Sequence, residues 1–544
     1  MFKNKITVFL KNNIFILLIL LFSFALYFKS IKFGYTHHDD TLLIVNNLPF
    51  LSDLSNIGKS FRITVFWNYD VSDNFYRPIL LINLIIDNIF SNSYFNIFHL
   101  TNILIHIFNT FLLYIFLKKI NIQKSLSLLL TLFFTIHPVL VQAVSWIPGR
   151  NDTILFTFVV LYLISIINYF KITKLINLFW VFLFFFLSLF TKETAIVSVL
   201  VTIFYKLFFY KKLENNNGLF KIILGNLVII FIWFILRKKA IVQGVELSFS
   251  ATVLDFFRNI QGIFIYLGKI FIPLKLSNFT TLKDYPILLG YFSFLLIFIL
   301  FIISKKKDIK KIFFGLTIFL LFSAPTLISV NSNRTFVFLE HRTYVPFIGL
   351  IIILSEIDIF KNFSFKNKLN KFIAAFLICT FTFINFQHQD SFKDRYSFWF
   401  NAVKTAPSNA TSHWGLGLTY YNNNNLLEAE KEFLQAIELN PMQPPIHNNL
   451  GLIYLDQGKL VEAKEAFQKE IAIGEFPDVL YNYGLVLYRM GSKSIAEEYW
   501  LKALNLNPNH DLSLKGMYYL NNERFNLLEA EKYRIRLNKL NIQY

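Results

Sequence analysis

Apolar runs of near-bilayer length, separated by short basic loops, fill the first 390 residues of the chain and then stop. Residues 7–29 are almost wholly apolar, and further runs lie at 95–117, 125–147, 153–170, 175–190, 194–210, 220–236, 285–303, 312–330, 343–357 and 371–387. About 20 helical residues cross the ~30 Å hydrocarbon core of a membrane. The pattern therefore predicts an all-α, polytopic transmembrane bundle of about eleven spans over residues 1–390. The first run is too long for a signal-peptide core and lacks a small-residue cleavage site, so it reads as a retained anchor.

Over residues 391–544 the pattern changes. Polar residues alternate with small and aromatic ones at helical spacing, and the sequence repeats itself with a period near 34. Leu416-Gly417, Leu450-Gly451 and Tyr483-Gly484 align, as do Ala429, Ala463 and Ala496, then Phe433, Phe467 and Trp500, and finally Pro441 and Pro508. This is the tetratricopeptide-repeat pattern, in which small residues let paired helices approach and an aromatic fills the groove between neighbours. It predicts an α-solenoid of three full repeats with partial ends. Trp399, Ala402 and Pro407 fall one period earlier, as the second helix of a preceding unit, and Ala530 continues the series into a degenerate last one.

Composition sharpens this picture. The chain has 544 residues, 55% of them hydrophobic and 18% aromatic, which excludes an ordinary soluble protein. Its formal net charge of +19 raises the question of nucleic acid. Most of the excess lies in loops between spans, where Lys and Arg set orientation and meet lipid, so no nucleic-acid partner is implied. Lys3, Lys5 and Lys11, Lys118 and Lys119, Lys171 and Lys174, and the clusters at 206–212, 305–311 and 361–371 fall on alternate loops. These place the amino terminus in the cytoplasm and the repeats outside, on a multi-pass protein of the cell (cytoplasmic) membrane. Arg237-Lys238-Lys239 is a basic cluster that dissents from this order. The single cysteine, Cys379, excludes an internal disulfide.

On this topology the chemistry-bearing residues collect on the outer side. Asp39-Asp40 follows the first span, where two neighbouring carboxylates divide labour between proton transfer and orientation of an acceptor or cation. Tyr76-Arg77-Pro78 lies in the same long loop, before a stretch to Phe90 in which Asn83 and Asp87 share a helical face; that stretch reads better as an interfacial amphipathic helix than as a site for Asp87. His99, Asn102, His106 and Asn109 form a polar stripe in the second span, better explained by interhelical hydrogen bonds than by zinc. His137-Pro138-Val139, Pro148-Gly149-Arg150-Asn151-Asp152, Thr191-Lys192-Glu193 and Glu340-His341-Arg342-Thr343-Tyr344 complete the set. Arg forks onto phosphate, whereas Asp152 serves equally well as a helix cap.

Taken in order, these motifs resemble the transmembrane and tetratricopeptide-repeat (TMTC) O-mannosyltransferases and their bacterial relatives, within the GT-C glycosyltransferases. The likeness covers most of the chain, solenoid included. It implies a membrane-embedded inverting transferase that uses a polyprenyl-phosphate sugar, with its catalytic acid in the first outer loop, where this chain has Asp39-Asp40. Two departures stand out: His38 occupies a place where the family often has an aromatic residue, and Gln142 one where it often has Glu.

The expectation is thus transfer of a sugar, mannose being one candidate, from a polyprenyl-phosphate donor to a hydroxyl acceptor such as protein Ser or Thr. Asp39 is the expected base and Asp40 its companion. Arg150, Arg342 and Lys192 are candidates for the phosphate, and Tyr76, Arg77 and His137 for the cavity wall, while Asp152, Glu193, Glu340 and Tyr344 join them as substrate-binding candidates. No cofactor is required, because the leaving group is already an activated phosphate diester, and a divalent metal stays open. The solenoid would receive a protein or peptide acceptor, and membrane lipids surround the rest. Two other readings remain: a GT-C enzyme acting on lipid or polysaccharide, and a non-catalytic membrane scaffold whose repeats assemble envelope proteins.

Overall fold

The computed structural model describes residues 2–67, 75–91, 94–210, 216–241, 249–328, 336–363 and 367–543. The described residues are helical, and their sole β contact is an isolated bridge between Thr280 and Phe338. Two compact units are present, one of apolar helices that ends at Asn401 and one of repeats over Ala402–Tyr544.

Among the described residues, six helices of the apolar unit are long and apolar enough to cross a membrane, namely Asn13–Lys32, Phe95–Lys119, Ile147–Lys171, Asn217–Ala240, Ile309–Leu327 and Lys368–Phe392. Lys124–Ile136 and Pro138–Ser145 meet the same criterion only as a pair, bent by 53°, the geometry of a broken span or a re-entrant segment. The bend has a local cause. Proline drives the residue before it out of the helical region, and His137 is extended at φ −67°, ψ 122°. Its Nδ1 accepts from the Val139 N–H at 3.2 Å while Nε2 donates to the Ile270 carbonyl at 2.8 Å, which satisfies the interrupted ladder. The remaining four expected spans coincide with shorter helices, Leu175–Thr191, Ser198–Phe209, Leu288–Ile303 and Pro346–Ser355. At about 1.5 Å per residue these are too short to cross the core upright.

Inside the bundle, three residues of the polar stripe, Asn102, His106 and Asn109, find partners, whereas neither ring nitrogen of His99 has one among the described residues. All four residues of the His99–Asn109 stripe are buried. Asn102 donates to the Val144 and Trp146 carbonyls at 3.1 Å each, His106 Nδ1 meets the Tyr344 hydroxyl at 2.6 Å, and Asn109 donates to the Thr153 carbonyl at 2.8 Å. The stripe thus ties its helix to both neighbours. Elsewhere close approach depends on lost side chains, since a Cβ on Gly315 would stand 2.6 Å from the Gly349 carbonyl oxygen and one on Gly349 2.3 Å from that of Gly315.

The second unit contains four antiparallel helix pairs: Ala410–Asn422 with Leu426–Leu439, Ile446–Asp456 with Leu460–Ile473, Pro477–Arg489 with Lys493–Leu506, and Asp511–Glu523 with Leu527–Lys539. Gly417, Gly451 and Gly484 lie under the rings of Phe433, Phe467 and Trp500, where an added Cβ would come within 2.7, 2.7 and 2.6 Å. The segment the repeat count assigns to a partial last unit is a full pair, closed over Ala530. Trp399 departs from the repeat register: it belongs to the apolar unit and stacks on Phe279 with centroids 5.5 Å apart and planes 4° from parallel. The boundary therefore falls inside the helix Arg395–Thr405.

Candidate functional site

The turn that follows the first span is built around one carboxylate. Asp40 is buried, and its Oδ2 accepts from the Thr36 N–H at 2.5 Å and the Thr36 hydroxyl at 2.9 Å, while Oδ1 accepts from the N–H groups of His38 at 2.9 Å and Thr41 at 3.1 Å. Burial pushes its carboxyl up, and the Thr36 and His38 donors offset only part of that. His37 takes a left-handed conformation at φ +53° to close the turn, and a short helix, Asp39–Leu43, begins there.

Successive helical residues point about 100° apart, so the two acids diverge. The Asp39 side chain keeps about a third of its surface open, and its Oδ1 stands 2.7 Å from His38 Nδ1. Its Oδ2 takes no hydrogen bond from any described residue. Burial opposes ionisation here too, but His38, with His341 and Arg77 behind it, outweighs burial and holds the carboxyl below its usual range. Asp39 is thus an anion with one oxygen available, while Asp40 is committed to the turn.

Cationic groups converge on the same place. Arg77 forks onto Glu193, Nη2 to Oε1 at 2.7 Å and Nε to Oε2 at 3.2 Å. Against the cost of burial, that guanidinium pulls Glu193 down to about 2. Lys192 places Nζ 2.8 Å from both oxygens of Asp152, and His341 Nε2 lies 3.8 Å from Asp152 Oδ2. Arg342 donates to the Thr326 carbonyl at 3.3 Å and has no carboxylate at ion-pair distance among the described residues. Asp39, Arg77, Lys192 and Arg342 all act electrostatically on His341, which burial, followed by the nearby cations, keeps neutral, far below the usual imidazole range. The structure therefore brings Asp39, Arg77, Lys192, Glu193, Asp152 and Arg342 into one electrostatic neighbourhood.

Other candidates lie away from it or are turned inward. Arg150 is wholly buried: Nε donates to Asn102 at 2.7 Å, Nη1 to Asn83 at 2.7 Å and Asp87 at 2.5 Å, and Nη2 to the Phe98 carbonyl at 2.5 Å. Four of its five N–H donors are thus spent in the core, which leaves no pair to fork onto a phosphate, and Asp87 is the counter-ion of this core arginine, not a headgroup contact. Tyr76 is buried against Phe190 with its hydroxyl on the Phe61 carbonyl, 2.9 Å away. His137 serves the span bend described above, and Tyr344 packs against Phe134 and Phe156. Glu340 is sealed from solvent, bonded to Lys269 at 2.6 Å, His388 at 2.9 Å and the Ser277 N–H at 2.7 Å. It pins the turn Glu340–Thr343 that carries His341 and Arg342.

Two residues beside Asp39 escape a reading by motif. His341 is almost fully buried with Nδ1 unpartnered, and its ring faces Trp146 at 5.6 Å. Its backbone N–H donates to Gln142 Oε1 at 3.0 Å, the task of that amide in this chain. His38 is the other, surrounded by Trp146, Phe279, Phe398 and Trp399. A histidine next to two acids was the available signal, masked because histidines also serve as core residues. Among the described residues no group of three His, Cys, Asp or Glu side chains is placed to hold a metal ion.

Comparison with known proteins agrees with this architecture. Tetratricopeptide repeat family models match residues 401–444, 415–479 and 477–510. A Protein O-mannosyl-transferase of Caenorhabditis elegans is 24% identical over 427 residues, covering 74% of this chain and 59% of the relative. The Protein O-mannosyl-transferase TMTC1 of Mus musculus is 29% identical over 151 residues, 26% of this chain and 15% of the relative. The chain thus spans about three fifths or less of the curated relatives it matches. Among solved structures, YrrB, titled a TPR protein with an unusual peptide-binding site, is 22% identical over 26% of this chain and 73% of its own, at a TM-score of 0.24. MamA is 20% identical over 28% of this chain and 88% of its own, at 0.25. The chain thus joins an apolar multi-helix unit to four tetratricopeptide-type helix pairs and is similar in sequence to proteins named O-mannosyl-transferases.

Proposed function

We propose that this chain is a membrane glycosyltransferase that moves a sugar from a polyprenyl-phosphate donor to a hydroxyl acceptor, protein Ser or Thr, on the extracytoplasmic face. The observation that carries the reading is Asp39, a carboxylate kept ionised with Oδ2 open, in a neighbourhood of Arg77, Lys192, His341 and Arg342. In the proposed step the acceptor oxygen bonds to the anomeric carbon as the bond from that carbon to the phosphate oxygen breaks. The hydroxyl proton passes to Asp39, and attack from the face opposite the leaving group inverts the anomeric centre. A positioned base supplies ~10² to 10⁴-fold. Arg342, without a carboxylate partner among the described residues, is the guanidinium suited to the charge on the departing phosphate. The similarity to proteins named O-mannosyl-transferases supports the transferase class and makes mannose the first donor to try. The repeats would hold the acceptor.

The test is Asp39→Asn, which keeps volume but not basicity. Protein-bound hexose in the envelope of cells carrying this variant should fall to the level of cells lacking the protein, at unchanged abundance in the membrane. Normal hexose from well-expressed Asp39→Asn protein would remove Asp39 as the base.

A further inference from the structure

The base is held by its own neighbour. Three constraints meet at His38. Its backbone N–H is spent on Asp40 Oδ1 at 2.9 Å. Its ring is enclosed by four aromatic side chains drawn from three distant segments: Trp146 at 6.0 Å, Phe279 at 5.2 Å, Phe398 at 6.0 Å and Trp399 at 5.2 Å between centroids. These rings brace one another, since Phe279 stacks on Trp399 and Trp146 on Phe398 at 5.9 Å. Trp146 is fixed in turn by its indole N–H, which donates to Thr36 Oγ1 at 3.1 Å, the same hydroxyl that serves Asp40. Thus Asp40 and the cage together leave the imidazole little freedom, and its Nδ1 stands 2.7 Å from Asp39 Oδ1.

We propose that His38 is a positioning residue for the base: its caged imidazole packs against Asp39 Oδ1 at Nδ1, a close contact off the axis of a hydrogen bond, and so presents Oδ2 to the acceptor hydroxyl. The contact limits rotation of the acid, and the nearness of His38 favours the anionic form of Asp39. No proton leaves His38 in the step. The acceptor proton goes to Oδ2, and the imidazole stays as it was. Without that contact, Asp39 turns about its side-chain bonds at a partly exposed position, and misplacement of a reacting group by about 1 Å costs ~10²-fold.

This inference rests on the proposed transferase reading, and the test separates the two. Cells whose only copy is wild type, Asp39→Asn, His38→Phe, His38→Asn or His38→Gln are compared for envelope protein-bound hexose per unit of membrane-inserted protein, at initial rates after induction. Phe keeps the ring in the cage and loses Nδ1. Asn places its amide nitrogen near the Nδ1 position, whereas Gln reaches the Nε2 position instead. Expected is loss for Asp39→Asn, a fall of ~10²-fold for His38→Phe, and recovery of a large part of the rate by Asn but not by Gln. If Asp39→Asn is inactive while His38→Phe matches wild type, His38 is not the positioning residue and the reading of Asp39 survives. If Asp39→Asn matches wild type, both fall. Should His38→Phe fail to insert, the Asn and Gln pair decides, and equal rates from the two overturn the proposal.

Discussion

At the scale of single residues, adjacent acids with opposite assignments are the main lesson of the site. Asp40 accepts four hydrogen bonds and Asp39 keeps an oxygen open, so the two Asn substitutions should fail differently. Asp40→Asn sets an amide N–H₂ against donors already aimed at it. A cost of roughly 1–3 kcal/mol is expected for buried donors left unmatched, read as a lower thermal midpoint of the detergent-solubilised protein together with lost transfer. Asp39→Asn should leave that midpoint unchanged. An unchanged midpoint for Asp40→Asn would mean the turn does not depend on its carboxylate. Once residues 39 and 40 are known to be helical, their divergence follows from i, i+1 geometry. The difficulty in sequence is that the helix Asp39–Leu43 is five residues long, too short to leave a periodic signal. Arg150 was illegible for another reason: its partners Asn83, Asp87 and Asn102 are 67, 63 and 48 residues away, so nothing local distinguishes a buried structural guanidinium from one waiting for phosphate.

Elements repeat best where the period is strict, and the solenoid was accordingly the most legible part of the chain. Its exceptions are informative. The small position of the second helix holds Ala436 and Ala503 in two repeats but Glu470 in the one between, and Asn448 stands where Trp414 and Tyr481 flank it. Glu470 Oε2 accepts from the Asn448 backbone N–H at 3.0 Å, at the start of a helix whose preceding Pro445 supplies no side-chain cap. Burial raises the Glu470 carboxyl above its usual value despite that bond and one from the His447 N–H. A raised acid contributes stability that is complete below its unfolded pKa, about 4.3, and is lost as pH rises through the folded value. Glu470→Gln should therefore raise the thermal midpoint of the repeat unit at pH 7, with the difference vanishing below about pH 4. A variant less stable than wild type at pH 7 would show instead that the charge on Glu470 is an asset.

For the whole molecule, orientation is the quantity on which the proposed chemistry depends. Cys379 is the sole cysteine, so Cys379→Ser gives a background in which single cysteines can be read without interference. With a membrane-impermeant thiol reagent on intact cells, a cysteine at residue 400 should label and one at residue 218 should not. The reverse result would put the repeats and the Asp39 turn on the wrong side for a lipid-linked donor outside. Hydropathy marked each of the long apolar helices but not the shorter Gly262–Phe271, and mean composition does not register a helix that ends early, as Pro346–Ser355 does after ten residues. That short helix follows the turn whose Glu340 is bonded to His388 near the end of the last long helix. Long helices answer a change in hydrocarbon thickness by tilting, and this bond joins such a helix to the turn that carries Arg342, so the expected outcome is a rate of transfer that varies with the acyl-chain length of the lipid around the reconstituted protein.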